Sequence, residues 1–160
     1  MNLKSFVRPN LDVLFVALNP AGQSHENGHY LSGSHSRFYK LLTQSGLLTE
    51  PVDRLVADEI VFGGTALNYQ NRSSGVIDLV PDLVETNSRF VRTNREHASA
   101  LLRQVRTCSP RFLCVIHRKV MRTLDRYPTW LRACPPPYLA AGPATAAALS
   151  LQTALGNLGV

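Results

Sequence analysis

Asn19 closes a continuous apolar run, "LDVLFVAL" from Leu11 to Leu18, and is followed at once by Pro20. A carboxamide offers an acceptor oxygen and two N–H donors without charge. It can hold a water or a polar substrate atom, but it cannot be a strong general base. Asn-Pro also makes an ordinary local turn, which is the competing explanation. Beyond Pro20 comes a polar stretch rich in Gly, Ser and His that no packing pattern accounts for. His25, His29 and His35 lie there, four and six residues apart, and only Glu26 accompanies them. Without a Cys or carboxylate triad this is not a metal-site pattern, and contact with phosphate or solvent is expected instead. His117 ends the run "RFLCVI" and reads as a satisfied strand-end histidine, with contact to DNA as the alternative.

Charge narrows the class of partner. The chain has 160 residues and a net charge of +6. From Arg89 to Arg132 eleven Arg or Lys face only Glu96 and Asp125, so the excess sits in one region. Arg predominates there, as expected where planar forks grip phosphates, although exposed helix faces are also often Arg-rich. Cys108, Cys114 and Cys134 contain no C-x-x-C pair, which leaves no disulfide framework and no four-thiolate site within one chain. A reducing cytoplasm is the expected compartment. The apolar run at Leu11 contains Asp12 and is too short to span a bilayer, so no membrane or targeting segment is expected.

The elements that must position these residues follow from periodicity. "LDVLFVAL" reads as a strand buried on both faces and ended by Asn-Pro, and "GVIDLV", Gly75 to Val80, as a second strand closed by Pro81. "RFLCVI" from Arg111 is a third, and a last is expected near Tyr138 to Ala141. A helix is expected from Ser34 or His35 to Gly46, with Phe38, Leu41 and Leu42 on one side. Thr93 and Glu96 predict a capping box ahead of a helix burying Ala98, Leu101, Leu102 and Val105. The next helix buries Val120, Met121 and Leu124 and repeats Arg118, Arg122 and Arg126 every fourth residue. Strands alternating with helices predict a single α/β domain over residues 1–160, three-layer αβα with a short, mostly parallel central sheet. Residues 133–160 contain no charged residue or histidine, and a final helix after Pro143 is expected within them.

In parallel α/β sheets ligands sit beyond the carboxyl ends of the strands, where Asn19 falls. The surrounding residues are Ala17-Leu18-Asn19-Pro20-Ala21, then Ser24, Gly28-His29-Tyr30-Leu31, and Ser36-Arg37-Phe38-Tyr39-Lys40. This arrangement resembles the first active-site motif of the uracil-DNA glycosylase superfamily, in particular its mismatch-specific uracil and thymine glycosylases. In that branch a strand ends in Gly-Ile-Asn-Pro-Gly. A Ser-bearing loop, a Gly followed by aromatics, and a helix opening in Asn-Arg-Phe-Trp-Lys come next. "GVIDLV" looks like the second core strand of the family, and "VIHRKV" from Val115 resembles its strand-to-helix turn ending in Gly-Lys.

The resemblance implies a DNA glycosylase removing uracil or a related damaged base, without metal or organic cofactor, in base excision repair. The partner would be DNA carrying such a base, and the protein a cytoplasmic monomer, on the nucleoid in a bacterium. A glycosylase must flip the nucleotide out of the stack. By match, Asn19 would position the attacking water, and backbone N–H groups near Leu18 and Leu31 would stabilise charge on the base. Ser24 would border the base, and Asp78 would stand at the pocket rim or be a solvated strand-end carboxylate. Leu31 replaces an aromatic stacking residue, a role that neighbouring Tyr30 could take after a small loop shift. Arg37, Arg118, Lys119, Arg122 and Arg126 would contact DNA. The polar wedge loop that the family carries after its last strand has no match in residues 133–160. Two alternatives stay open: a DNA-binding protein keeping the fold without turnover, and an enzyme acting on a free nucleotide or base.

Overall fold

The structure, a computed structural model, describes residues 3–127 and 138–140. Its centre is β1, Val13–Ala17, five residues buried on both faces. β2, Ser74–Asp78, and β3, Phe112–Val115, pair with it on either side. β4, Tyr138–Ala140, pairs with β3. The sheet order is β2-β1-β3-β4, and every pairing is parallel. Parallel neighbours need long crossovers, and helices supply them here. α1 (Gly22–Asn27), α2 (Phe38–Gln44) and α3 (Ala57–Val61) lie between β1 and β2. α4 (Arg95–Cys108) leads to β3 and α5 (Arg118–Arg126) follows it.

Strand alternation sorts the core into two halves. Leu14, Val16, Leu113 and Val115 meet Ala98, Leu101 and Val105 of α4 and Val120 and Leu124 of α5. Val13, Phe15, Val76 and Cys114 meet Tyr39 and Leu42 of α2, Ala57 and Val61 of α3, and the fully buried Phe62. Helices therefore cover both faces of the sheet, giving the three-layer α/β arrangement.

The apolar runs foretold the strands because parallel strands covered on both faces need apolar residues at every position. Pairing continues past the last residue of β2, since Leu79 N–H and Val80 N–H donate to Ala17 and Leu18 carbonyls at 2.9 and 2.8 Å. Three details differ from expectation. α2 opens at Phe38, after a Ser36-to-Gly33 turn, and not at Ser34 or His35. The capping box of α4 is one residue later than Thr93 and Glu96: Asn94 Oδ1 accepts His97 N–H at 2.9 Å, and His97 Nδ1 accepts Asn94 N–H at 3.2 Å. Thr93 is occupied elsewhere, with its hydroxyl 2.5 Å from that of Thr123. The polar stretch after Pro20 is not all loop: it contains α1, stopped by Gly28 in the left-handed conformation at φ 74°. The helix expected after Pro143 lies outside the described residues.

Candidate active site

The chain runs from β1 to one side of it, making β2, and then crosses to the other side, making β3. Connections leaving a strand in opposite directions open a crevice at the carboxyl ends, here between β1 and β3. A recess of about 190 Å³ occupies that place. Ala17, Leu18 and Asn19 from the end of β1 and Ile116 and His117 from the end of β3 form two walls. Ala21, Leu31 and the segment containing Glu85, Thr86 and Ser88 complete it.

Asn19 is held from its donor side. Its Nδ2 approaches the carbonyls of Pro20, Leu83 and Glu85 at 3.0, 3.0 and 2.9 Å. Three carbonyl oxygens around one end of the amide can only face the NH2 group, so the orientation is decided by chemistry. Asn19 lines the recess, and its Oδ1 is left as an acceptor without a donor among the described residues. The same bonds anchor the loop leaving β2, which Thr86 also ties to α1 by accepting Gly22 N–H at 3.1 Å.

Leu31 reaches the recess through a strained backbone, with φ 55°, a conformation that residues with a Cβ seldom adopt. Such strain persists where surrounding contacts over-determine it, often at functional sites. Those contacts are visible. Asp58, 1% exposed, accepts Tyr30 N–H at 2.9 Å with Oδ2, while its Oδ1 lies 2.9 Å from His29 Nδ1 and accepts Glu59 N–H at 2.8 Å. The Tyr39 hydroxyl donates to the Tyr30 carbonyl at 2.8 Å, and Arg54 donates to the Ser32 carbonyl. Sequence reasoning misses Asp58; a lone Asp opening a short helix carries no signal of a clamp on a distant loop.

The other expected base-contacting residues divide. Leu18, Asn19 and Leu31 line the recess together. Tyr30 does not present its ring there: it packs edge-on to Phe6 at 6.1 Å and lines a neighbouring cavity of about 350 Å³ with Pro20, His25 and Asp78. Asp78 is 5% exposed, and its Oδ2 has no hydrogen-bond partner among the described residues. Burial pushes its carboxyl up to about 7, and burial, then Asp78 and Asp58, push the Tyr30 hydroxyl above its usual range. Asp78 is thus not a solvated strand-end carboxylate. Ser24 lies under the loop, buried, accepting Ser32 N–H at 3.2 Å, and lines neither cavity.

The three loop histidines have separate uses: His29 pairs with Asp58, His25 lines the second cavity, and His35 is exposed. No group of three His, Cys, Asp or Glu able to hold a metal occurs among the described residues. Arg37, Arg118, Arg122 and Arg126 are exposed. Lys119 differs. Its ammonium donates to the carbonyls of Ser88 and Val91 at 2.6 and 2.5 Å, tying α5 to the segment that borders the recess. It is a structural cation as well as a basic residue in the Arg-rich region. Among the described residues, no helix is long and apolar enough to cross a membrane.

Residues 4–151 match the family model described as the Uracil DNA glycosylase superfamily. No match emerges among the curated proteins.

Proposed function

Because the chain belongs to the uracil DNA glycosylase superfamily, we propose that it hydrolyses the N-glycosidic bond of uracil or a related damaged base in DNA, in the manner of the mismatch-specific uracil and thymine glycosylases. The observation that carries this reading is Asn19, a residue lining the recess whose amide is locked by three carbonyls, leaving Oδ1 as its acceptor. An acceptor so placed takes one proton of a water in a hydrogen bond and points a lone pair of that water at C1′ of a flipped nucleotide. Since the amide cannot ionise, the water attacks a sugar that has already gained oxocarbenium character, and positioning supplies most of the rate. Leu18 and Leu31 give apolar walls to the base, and backbone N–H groups around them favour negative charge on its oxygens.

The test is an oligonucleotide with a single uracil, incubated with purified protein and treated with alkali to break the chain at abasic sites. Strand cleavage is expected. Asn19→Ala should lower the single-turnover rate by a factor of about 10². An Asn19→Ala protein as fast as the parent would refute the role given to Asn19.

A second reading is favoured by Leu31, an aliphatic residue where the family stacks an aromatic on the base. On that reading the protein binds DNA through its exposed arginines and turns over feebly or not at all. Salt-sensitive oligonucleotide binding without base release would support it.

A further inference from the structure

Phe90 is the most exposed large apolar side chain among the described residues, at 69%. Single exposed apolar residues are common on protein surfaces and need no partner. What sets Phe90 apart is that its backbone is fixed. It ends the short helical turn Ser88–Phe90, in which Asn87 Oδ1 accepts Arg89 N–H at 3.0 Å and the Asn87 carbonyl accepts Phe90 N–H at 3.1 Å. Lys119 holds the carbonyls of Ser88 and Val91, on either side of Arg89 and Phe90. Val91, the next residue, is fully buried in the core. An aromatic ring is thus carried on a rigid support with most of its surface open, forgoing the free energy that its burial would bring. Its surroundings suit a nucleic acid. Ser88, two residues before it, lines the recess. Arg89 and Arg92 are exposed, and no Asp or Glu occurs from Thr86 to Arg95. Glu85, the nearest acid in sequence, accepts Asn87 N–H at 2.9 Å with Oε1.

Taking the glycosylase reading of the recess as its basis, we propose that the Phe90 ring is a stacking platform for an unpaired base next to the nucleotide held in the recess, and that the partner it selects is single-stranded DNA. Proteins hold single strands without reading sequence by letting cations follow the backbone while an aromatic ring stacks on a base. The turn rises about 2 Å per residue, so Ser88 and Phe90 lie about 4 Å apart along it, close to the rise of about 3.4 Å between successive nucleotides of a strand. In a duplex the neighbouring base is already paired and stacked, and the ring has little to add. In a single strand that base can leave its neighbours, and stacking on a fixed ring orders the strand across the recess. Such a contact is apolar and releases no counterions, unlike the contacts of exposed arginines with phosphates.

The test uses the full chain and one oligonucleotide sequence, single-stranded and as a duplex, with 2-aminopurine beside a central 2′-fluoro-2′-deoxyuridine, whose electron-poor sugar resists cleavage. Affinity is measured at several salt concentrations for the parent, Phe90→Ala and Phe90→Tyr, with 2-aminopurine fluorescence, thermal unfolding and sedimentation alongside. Phe90→Ala is expected to unfold at the parental temperature and to bind the single strand about tenfold more weakly, with an unchanged slope of log K against log salt. Its duplex affinity should change by less than about twofold, and the quenching of 2-aminopurine by stacking on the ring should be lost. Phe90→Tyr, which keeps the ring, should keep both affinity and quenching. Parental single-strand affinity or undiminished quenching in Phe90→Ala, or an equal loss on strand and duplex, would overturn the platform. So would a parental dimer that Phe90→Ala dissolves, because the ring would then belong to a contact with a second copy of the chain. Release of ordinary uracil by the parent is scored separately. Phe90-dependent stacking without base release overturns the glycosylase reading and leaves the strand contact standing; base release without any effect of Phe90 overturns the platform alone.

Discussion

A single amide at a strand end has many possible uses, and what distinguishes Asn19 is that its donors are consumed. The carbonyls of Pro20, Leu83 and Glu85 satisfy Nδ2, so the one free function of the side chain is its oxygen. Asp78 shows the opposite condition, a buried group with an oxygen that no described residue satisfies. Its carboxyl is pushed up to about 7 by burial, against an ordinary value of 3.8. The folded state therefore holds a proton that the unfolded chain releases. Any stability due to that proton is fully present below about pH 3.8 and is lost as pH rises through about 7. The cost above that point is on the order of 4 kcal/mol at most, at about 1.4 kcal/mol for each pH unit. Asp78→Asn, which stays neutral, should raise the melting temperature at pH 8 and lose that advantage progressively toward pH 4. Melting curves of the two proteins across this range check it; a constant difference would mean that Asp78 is not titrating with folding.

At the level of elements, α5 serves both packing and charge with adjacent residues. Lys119 is turned inward to the Ser88 and Val91 carbonyls, while Arg118, Arg122 and Arg126 stay exposed. The two kinds of cation should respond differently to substitution. Replacing the three arginines by Gln should leave the fold intact, weaken binding to DNA and make log K less steep in log salt by up to about 3. Titrations at several salt concentrations measure this, and an unchanged slope would place the DNA on another face. The every-fourth-residue spacing showed that these arginines share a helix face. It could not show that Lys119, next in sequence to Arg118, would turn to backbone carbonyls, because that depends on where the Ser88–Phe90 turn is packed.

For the whole molecule, we propose that residues 133–160, which carry no charged residue or histidine, supply no polar wedge. Extracting a base from a duplex costs a few kcal/mol of stacking and pairing, least where the base is mispaired or single-stranded. A wedge side chain offsets that cost by filling the vacated space. Base release is therefore expected to be fastest on single-stranded uracil or an unstable mismatch and slow on U·A in a stable duplex. Side-by-side rates on single-stranded uracil, U·G and U·A decide it. Equal, fast release from all three would show that another residue fills the gap, with Tyr138 the first to replace.

Local pattern was enough to define the elements and one half of the candidate site. Strands buried on both faces must be apolar throughout, so "LDVLFVAL", "GVIDLV" and "RFLCVI" could be recognised, and with them the placing of Asn19 at a carboxyl end. Composition likewise located the basic region. Periodicity reports which side of an element is buried, but not which strand becomes its neighbour. The order β2-β1-β3-β4 arises from contacts between residues far apart in the chain, and it alone sets His117 of the β3 end across from Asn19 of the β1 end. Tertiary packing also chose Leu31 over Tyr30 for the recess, through a clamp by buried Asp58 that has no local signature. Side chains that act through backbone carbonyls or N–H groups of other segments, as Asn19, Asp58 and Lys119 do, have partners that become defined only when those segments are brought together.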